Sequence, residues 1–268
     1  MPTISVQQAR ATAEQVLRAA GLPPAHAALQ ADLLLEAELR GSPSHGLLRL
    51  ERLIRRIANG VANPVAAGRL DWRGEALLHV DGENGMGPVV AMAALDAIAP
   101  RARRFGIAAA AIASSNHIGM LAYYAEKLAV QGLVCIAMTT SEALVHPWGG
   151  RKAMIGTNPI AIGVPTATGP FVVDLATSRV SMGEIHDRAH RHQPIPADWA
   201  LDAGGNATTD PEAAKHGAIA PFGGPKGYAL GLALEVMVSA VAGAALGRDV
   251  VGTLDNDRVC NKGDLFIL

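Results

Sequence analysis

Hydrophobic positions recur at helical spacing through the first sixty residues. Ser5 followed by Gln8 reads as a capping box, and Gly21 supplies a C-terminal stop. Pro23 and Pro24 open a second helix with Leu29, Leu33, Leu34 and Ala37 at its apolar positions. Between Ser44 and Asn59, Leu47, Leu50, Leu53, Ile54 and Ile57 fall on one face. Arg49, Glu51, Arg52, Arg55 and Arg56 fall on the other, and Gly60 ends the segment. The pattern predicts three consecutive amphipathic helices.

The period changes near residue 75. Ala76 to Val80 reads as a strand, closed by Asp81-Gly82. Residues 88–104 read as a helix with Pro88 at its start. Short apolar runs at 106–113, 133–138, 160–164 and 171–174 read as strands, with a helix over 120–131. The Gly- and Pro-rich stretch 147–170 predicts loops between short strands, and 193–225 reads mostly as loop. The most apolar stretch is Tyr228 to Gly247, but Glu235 lies within it. A carboxylate at a bilayer centre costs roughly 2.5–3.5 kcal/mol, so a buried helix is expected there and not a membrane span. Asp264 to Leu268 is strand-like with nothing after it, a position where a strand edge would lie open and a truncated sequence is expected. The alternation predicts an α/β protein with a mixed sheet: a helical N-terminal domain over 1–74 and a sheet domain over 75–268.

Composition narrows the chemistry. Of the 268 residues 50% are hydrophobic and only 4% aromatic, so Ala, Leu, Ile and Val must build the core. A net charge of -1 provides no basic field, which argues against a nucleic-acid partner. Two cysteines, Cys135 and Cys260, provide neither a disulfide scaffold nor a thiolate zinc cluster. The polar N-terminus does not read as a signal peptide. These features describe a protein of a reducing compartment, without a membrane partner.

No G-x-G-x-x-G is present, since Gly82, Gly85 and Gly87 have the wrong spacing. Walker A, H-E-x-x-H and G-x-S-x-G are also absent. What remains is a set of polar residues at unusual places. His45 and Arg49, four apart, share a helix face: one exchanges protons near neutral pH, the other grips a carboxylate through a planar fork. That pair suits a small acid; it equally reads as a solvated face of an Arg-rich helix. His117, after Ser114-Ser115-Asn116 at a strand end, is a general acid/base candidate or part of a turn that caps the next helix. Gly156-Thr157-Asn158-Pro159 offers donors to a ligand, or forms an ordinary turn. Asp174 suits a ribose or a ring amide, or caps a helix. Gly223-Gly224-Pro225-Lys226-Gly227 opens the apolar helix with a cation, which suits a phosphate or reads as a Gly-rich helix start. His186, Asp187, His190 and His192 cluster, but Arg188 and Arg191 interleave and oppose a divalent ion, so no metal is expected.

Taken in order, these motifs resemble a known family. They are Ser44-His45-Gly46 with Arg49, Asp81-Gly82 with Gly85 and Gly87, Asn116-His117-Ile118-Gly119 and Gly156-Thr157-Asn158-Pro159. Asp174-Leu175-Ala176-Thr177-Ser178, Thr208-Thr209-Asp210-Pro211 and Pro221-Phe222-Gly223-Gly224-Pro225-Lys226-Gly227 follow. The chain resembles, over nearly its whole length, the malate/L-lactate dehydrogenase family of the non-Rossmann type. That family includes ureidoglycolate and sulfolactate dehydrogenases and Δ1-piperideine-2-carboxylate reductase. The resemblance implies an L-sulfolactate dehydrogenase-like fold, with NAD or NADP bound by the mixed-sheet domain, and a cytoplasmic homodimer acting on a small molecule. It implies His117 as acid/base partner of the substrate hydroxyl, Arg49 as carboxylate clamp, and Ser44 and His45 beside them in proton delivery. It places Ser141, Thr157, Asn158, Asp174, Leu175, Ala176 and Lys226 at the cofactor. It also implies a further C-terminal segment returning to the helical domain. The expected activity is hydride transfer between NAD(P)H and a 2-oxo or 2-hydroxy acid of malate, lactate, sulfolactate or ureidoglycolate type. The alternatives are an NADPH-dependent cyclic ketimine reductase and a truncated, non-catalytic nucleotide-binding remnant.

Overall fold

The structure, a computed structural model, describes residues 3–268. Helix α1 (Val6–Ala19) begins at the expected capping box: the Ser5 hydroxyl accepts from the Gln8 N–H and the Gln8 side chain accepts from the Ser5 N–H. Helix α2 (Pro24–Leu39) is apolar on both sides because it lies between two cores. Its Ala27, Ala31 and Leu34 pack with Ala13, Leu17 and Leu53 of the helical layer. Its Leu33 and Ala37 pack with the sheet core.

The third helix starts later than the pattern predicts. Residues 44–49 are not its first turns. Pro43–His45 and Leu47–Arg49 are separate 3-10 turns, and α3 runs over Leu50–Ala58. Gly46 has a non-helical backbone (φ -95°, ψ -146°), and the Leu47 N–H donates to the Glu38 carboxylate of α2 at 2.7 Å. A tertiary acceptor thus takes the bond that a continuous helix would have made within itself.

Strand β1 (Arg69–Trp72) follows, unforeseen because its charged residues hide the apolar pattern; it edges the sheet beside β2 (Leu77–Gly85). Then come α4 (Gly87–Phe105), β3 (Ala109–Ser115), α5 (Ala122–Val130), β4 (Cys135–Thr139), β5 (Ile160–Val164) and β6 (Phe171–Leu175). The His- and Arg-rich stretch forms α6 (Met182–His190), capped by Ser181. The predicted long loop carries β7 (Ala200–Leu201), α7 (Pro211–Ala214) and β8 (Ala218–Ile219) around a small core of Val145, Ile155, Ile185, Ile195 and Ile219. Helix α8 (Pro225–Ala242) and β9 (Asp264–Ile267) complete the order.

The sheet order is β1-β2-β3-β9-β4-β5-β6. β2 and β3 run parallel; the other neighbouring pairs of this sheet are antiparallel. β9 therefore lies in the middle, paired with β3 and β4, and not at an open edge as expected. Side chains alternate across it: Phe266 packs with Ile112, Cys135 and Ala137 under α4 and α5, and Leu265 packs with Ala111 and Met138 under α8.

Helix α8 is not buried all round. Gly227, Gly231, Leu234, Glu235, Val238 and Ala242 face inward, while Leu230, Leu232, Val236 and Met237 are exposed. Among the described residues no helix is long and apolar enough to cross a membrane. The Glu235 carboxylate, fully buried, accepts from the Gly156 N–H, the Asn158 side-chain amide and the Gly247 N–H. Glu235→Ala strands these donors, so a loss of about 3 kcal/mol or more in unfolding free energy is expected from urea titration. A change below 1 kcal/mol (about the worth of one ordinary hydrogen bond) removes Glu235 from this role.

Candidate active site

The sheet topology collects the chemistry at one end. β9 is antiparallel to β3 and β4, with Asp264 opposite Ile112 and Thr139. β5 and β6 continue the alternation, with Ile160 opposite Leu175. The ends of β2, β3, β4 and β6 and the starts of β5 and β9 therefore share one rim. Ser115–His117, Thr139–Ser141, Gly156–Pro159, Asp174–Thr177 and Lys262–Asp264 all stand on it.

A cleft at this rim meets the helical layer. Gln30, Leu33 and Leu34 of α2, His45 and Arg49 of the two 3-10 turns, and Arg52 and Arg56 of α3 line one side; Asn116, His117, Gly252 and Thr253 line the other. His45 and Arg49 thus share the cleft although they do not share a helix.

Each wall is built by identifiable contacts. Asn116 caps no helix: its amide donates to the Asn84 and Gly85 carbonyls, and its oxygen accepts from Arg56 Nε at 3.0 Å. The other Arg56 nitrogens donate to the Asp255 and Arg258 carbonyls, which fixes the 255–258 loop against α3. Glu142 accepts from the N–H groups of Thr253 and Leu254 and so secures the Thr253 wall. Behind His117, Gly87 lets the start of α4 approach, since a Cβ there would lie 2.3 Å from the His117 carbonyl oxygen. Gly119 takes φ +79° against Leu33, with no room for a Cβ.

His117 and His45 face each other, ring centroids 5.5 Å apart. Gly119 N–H donates to His117 Nδ1 at 3.1 Å, so the neutral ring carries its proton on Nε2. Ser44 Oγ lies 3.1 Å from His45 Nδ1. Burial, then Arg49, His45, Lys262 and Arg52, holds His117 well below the usual histidine range. Burial and Arg49 push His45 down to about 4. Both rings are neutral at neutral pH. Arg49 Nε donates to the Ser44 carbonyl at 2.6 Å, which leaves its Nη1 buried without a partner. Burial, then Arg52, lowers Arg49 to about 10, so it stays charged at neutral pH.

These shifts have a consequence for stability. Histidines lowered in the folded state favour the unfolded chain once it protonates. Stability contributed by His45 and His117 is full above about 6.5, the ordinary histidine value, and falls as pH drops toward about 4. A lower urea midpoint at pH 5 than at pH 7.5 is expected, with a shallower slope in His45→Gln. The same slope in both proteins contradicts this assignment.

The sequence-predicted cofactor residues divide. Ser141 Oγ accepts from the Thr157 N–H, which joins the β4 and β5 ends. Asp174 accepts from the Ala122 N–H at the start of α5, so it caps a helix other than the one following it, and burial raises its carboxyl. Leu175 is exposed beside it and Ala176 continues to Thr177, which bonds the Thr157 and Asn158 carbonyls. Lys226 is exposed at the start of α8 and forms no ion pair among the described residues. Asn158 is fully buried: its NH2 donates to the Gly231 carbonyl and the Glu235 carboxylate, and its side-chain oxygen has no partner among the described residues. His186 and His190 lie exposed on α6; Arg179 and Arg188 are paired with Asp198 and Glu184. Gln30, Arg52, Arg56 and the buried Lys262–Asp264 pair were not foreseen. Burying a lysine and an aspartate where a central strand begins was signalled only by the Lys-Gly-Asp run opening an apolar segment.

Comparison with known proteins identifies the family. The profile of the family described as malate/L-lactate dehydrogenase matches residues 4–268. L-sulfolactate dehydrogenase of Methanocaldococcus jannaschii is 38% identical over 252 residues, which is 94% of this chain and 73% of that protein. (2R)-3-sulfolactate dehydrogenase (NADP(+)) of Chromohalobacter salexigens is 37% identical over 246 residues, 91% of this chain and 73% of that one. The crystal structure of a dehydrogenase from Sinorhizobium meliloti superposes with a TM-score of 0.97 at 55% identity, covering 99% of this chain and 78% of that one. The family and these relatives make the chain an NAD(P)-dependent oxidoreductase, and its sheet is not a Rossmann sheet. The chain belongs to the malate/L-lactate dehydrogenase family.

Proposed function

We propose that the cleft reduces a small 2-oxo acid, and oxidises the matching 2-hydroxy acid, with a nicotinamide cofactor. The observation that carries this reading is Arg49 Nη1: a buried, charged donor without a partner, in the same cleft as two neutral histidines. A buried charge without a counter-ion is costly, and a substrate carboxylate repays that cost.

The rim residues fit a dinucleotide. Ser141, Thr157, Asp174, Leu175 and Ala176 would hold the nicotinamide end, and Lys226 at the start of α8 has the charge for a phosphate. When bound, the nicotinamide supplies or takes the hydride at the carbonyl carbon. The chain's own residues do the rest. Arg49 orients the carboxylate and so fixes the face of the adjacent carbonyl. His117 Nε2–H, the ring proton not matched by a backbone acceptor, hydrogen-bonds the carbonyl oxygen as charge grows on it and passes its proton to that oxygen, and the ring regains a proton from solvent by way of His45. Arg49 holds both histidines down; a carboxylate on Arg49 offsets that charge and raises their proton affinity when substrate arrives. The Ser44–His45 pair supports proton delivery to His117. The reading also carries a cytoplasmic homodimer, for which light scattering of the purified chain is the test.

The activity test follows the reduced-nicotinamide absorbance with NADH and NADPH separately, against pyruvate, oxaloacetate, sulfopyruvate and Δ1-piperideine-2-carboxylate. Consumption with a 2-oxo acid is expected. Consumption with the cyclic imine alone replaces this reading with the ketimine reductase one.

A further inference from the structure

The cleft holds more recognition chemistry than one carboxylate needs. Three arginines reach it, and their partners differ. Arg56 is fully engaged by Asn116, Asp255 and Arg258. Arg49 is anchored through one nitrogen with another left over. Arg52 lines the cleft and makes neither a side-chain hydrogen bond nor an ion pair among the described residues. Its neighbour Arg55 is spent on Glu51.

A second group stands unused nearby. Gln30 of α2 is 1% exposed, lines the same cleft, and has a buried side-chain oxygen with no partner. Its amide makes no hydrogen bond among the described residues. A buried amide without a partner is uncommon, because its desolvation is uncompensated. Leu53, next to Arg52 on α3, packs with Ala27 and Leu34 of α2, so Gln30 and Arg52 stand on the same side of the cleft.

We propose that Gln30 and Arg52 form a second subsite, which binds a distal anionic group of the substrate. This rests on the 2-oxo acid reading above and narrows it. Arg49 takes the carboxylate next to the reacting carbon; Arg52 and the Gln30 side-chain NH2 donate to a carboxylate or sulfonate one carbon further on, with the Gln30 oxygen turned away from it. The preferred acceptor is therefore a dianionic 2-oxo acid, in preference to pyruvate or a monoanionic cyclic imine. The charge balance agrees: Arg52 acts on Arg49, Arg56 and His117 as an uncompensated like charge, which a second anion would offset. A monoanion would neutralise Arg49 and leave Arg52 facing it. The distal group makes no covalent change, so the subsite alters selectivity and not the chemistry at the carbonyl.

The test measures kcat/KM for oxaloacetate, sulfopyruvate and pyruvate, with reduced cofactor, in the wild-type chain, Arg52→Leu and Gln30→Leu, each checked for folding by circular dichroism. The wild type is expected to favour the dianions by roughly ten- to a hundredfold, the worth of one or two charge-assisted hydrogen bonds. Arg52→Leu should bring the ratio within about threefold of unity, and Gln30→Leu should lower it part of the way. The faster of the two dianions then identifies the distal group as carboxylate or sulfonate. A wild type indifferent to the second charge, or an Arg52→Leu variant that loses activity on all three acceptors in parallel, overturns the subsite and leaves the reductase reading standing. Calorimetric titration with L-malate and L-lactate, in the presence of oxidised cofactor, separates the two claims if no acceptor is reduced. Tighter malate binding that Arg52→Leu abolishes keeps the subsite and overturns the reductase reading; equal binding overturns both.

Discussion

Replacing His117 by alanine is expected to lower kcat/KM by about 10²- to 10⁴-fold, the usual worth of a positioned acid/base group. Cofactor affinity should change little. The reason lies in how the ring is held. Its Nδ1 is occupied by the Gly119 N–H, Gly87 and Gly119 leave room for the backbone on either side of it, and Asn116 ties the preceding residue to Arg56. That effort fixes a single nitrogen, Nε2, toward the cleft. Removing the imidazole leaves the growing oxyanion with Arg49 and His45 nearby but no directed donor. The backbone contacts that shape the wall remain, so cofactor titration by fluorescence quenching should give a dissociation constant within about threefold of wild type, less than one ordinary hydrogen bond would change it. An equal loss of turnover and of cofactor binding would make His117 a structural residue.

The second large effect is expected at Arg49. Arg49→Lys keeps the charge and loses the planar fork. It also loses the Nε bond to the Ser44 carbonyl, which aims the guanidinium. One hydrogen bond to a charged group is worth about 1.5–3 kcal/mol, so kcat/KM for the 2-oxo acid should fall by about 10- to 150-fold. Most of that fall should appear in KM, because the carboxylate is held in ground and transition states alike. The lysine keeps the buried charge and gives up the bond to the Ser44 carbonyl, so a loss of about 1.5–3 kcal/mol toward urea should accompany the rise in KM. Unchanged KM, with stability reduced, would assign Arg49 to the scaffold.

Much of the fold was legible because local periodicity coincides with packing. The run 160–164 was read as a strand and β5 is Ile160–Val164; Ser5 and Gln8 cap α1 as their spacing requires. Errors arise where a distant residue decides. The start of α3 depends on Glu38, nine residues away, taking the Leu47 N–H. β9 has the pattern of any apolar strand, and only its two partners, β3 and β4, make it central. The apolar pattern of α8 has no polar face, so nothing local distinguishes its covered side from its exposed side.

The site was legible unevenly for the same reason. His45, Arg49 and His117 are chemically conspicuous, and the structure brings all three into one cleft. Asn158 was conspicuous too, but nothing local signals that its NH2 is engaged by Glu235, 77 positions further along the chain. Arg52 could not be separated from Arg55 and Arg56 by sequence, since all three lie in one basic helix. Their difference is who neutralises them: Glu51 for Arg55, backbone carbonyls for Arg56, and no described residue for Arg52. Gln30 carries no sequence signal at all, because a glutamine in a helix is ordinary until its surroundings are known.

The most direct measurement of the central claim is isotope transfer. The purified chain is given reduced nicotinamide cofactor carrying deuterium at the transferable C4 position, with oxaloacetate as acceptor, and the product is examined by mass spectrometry. The expected result is a 2-hydroxy acid with one deuterium on C2, formed by wild type and lost in His117→Ala. Cofactor oxidation with no deuterium in the product, or label transfer that persists at full rate in His117→Ala, would contradict the assignment of this cleft as a hydride-transfer site.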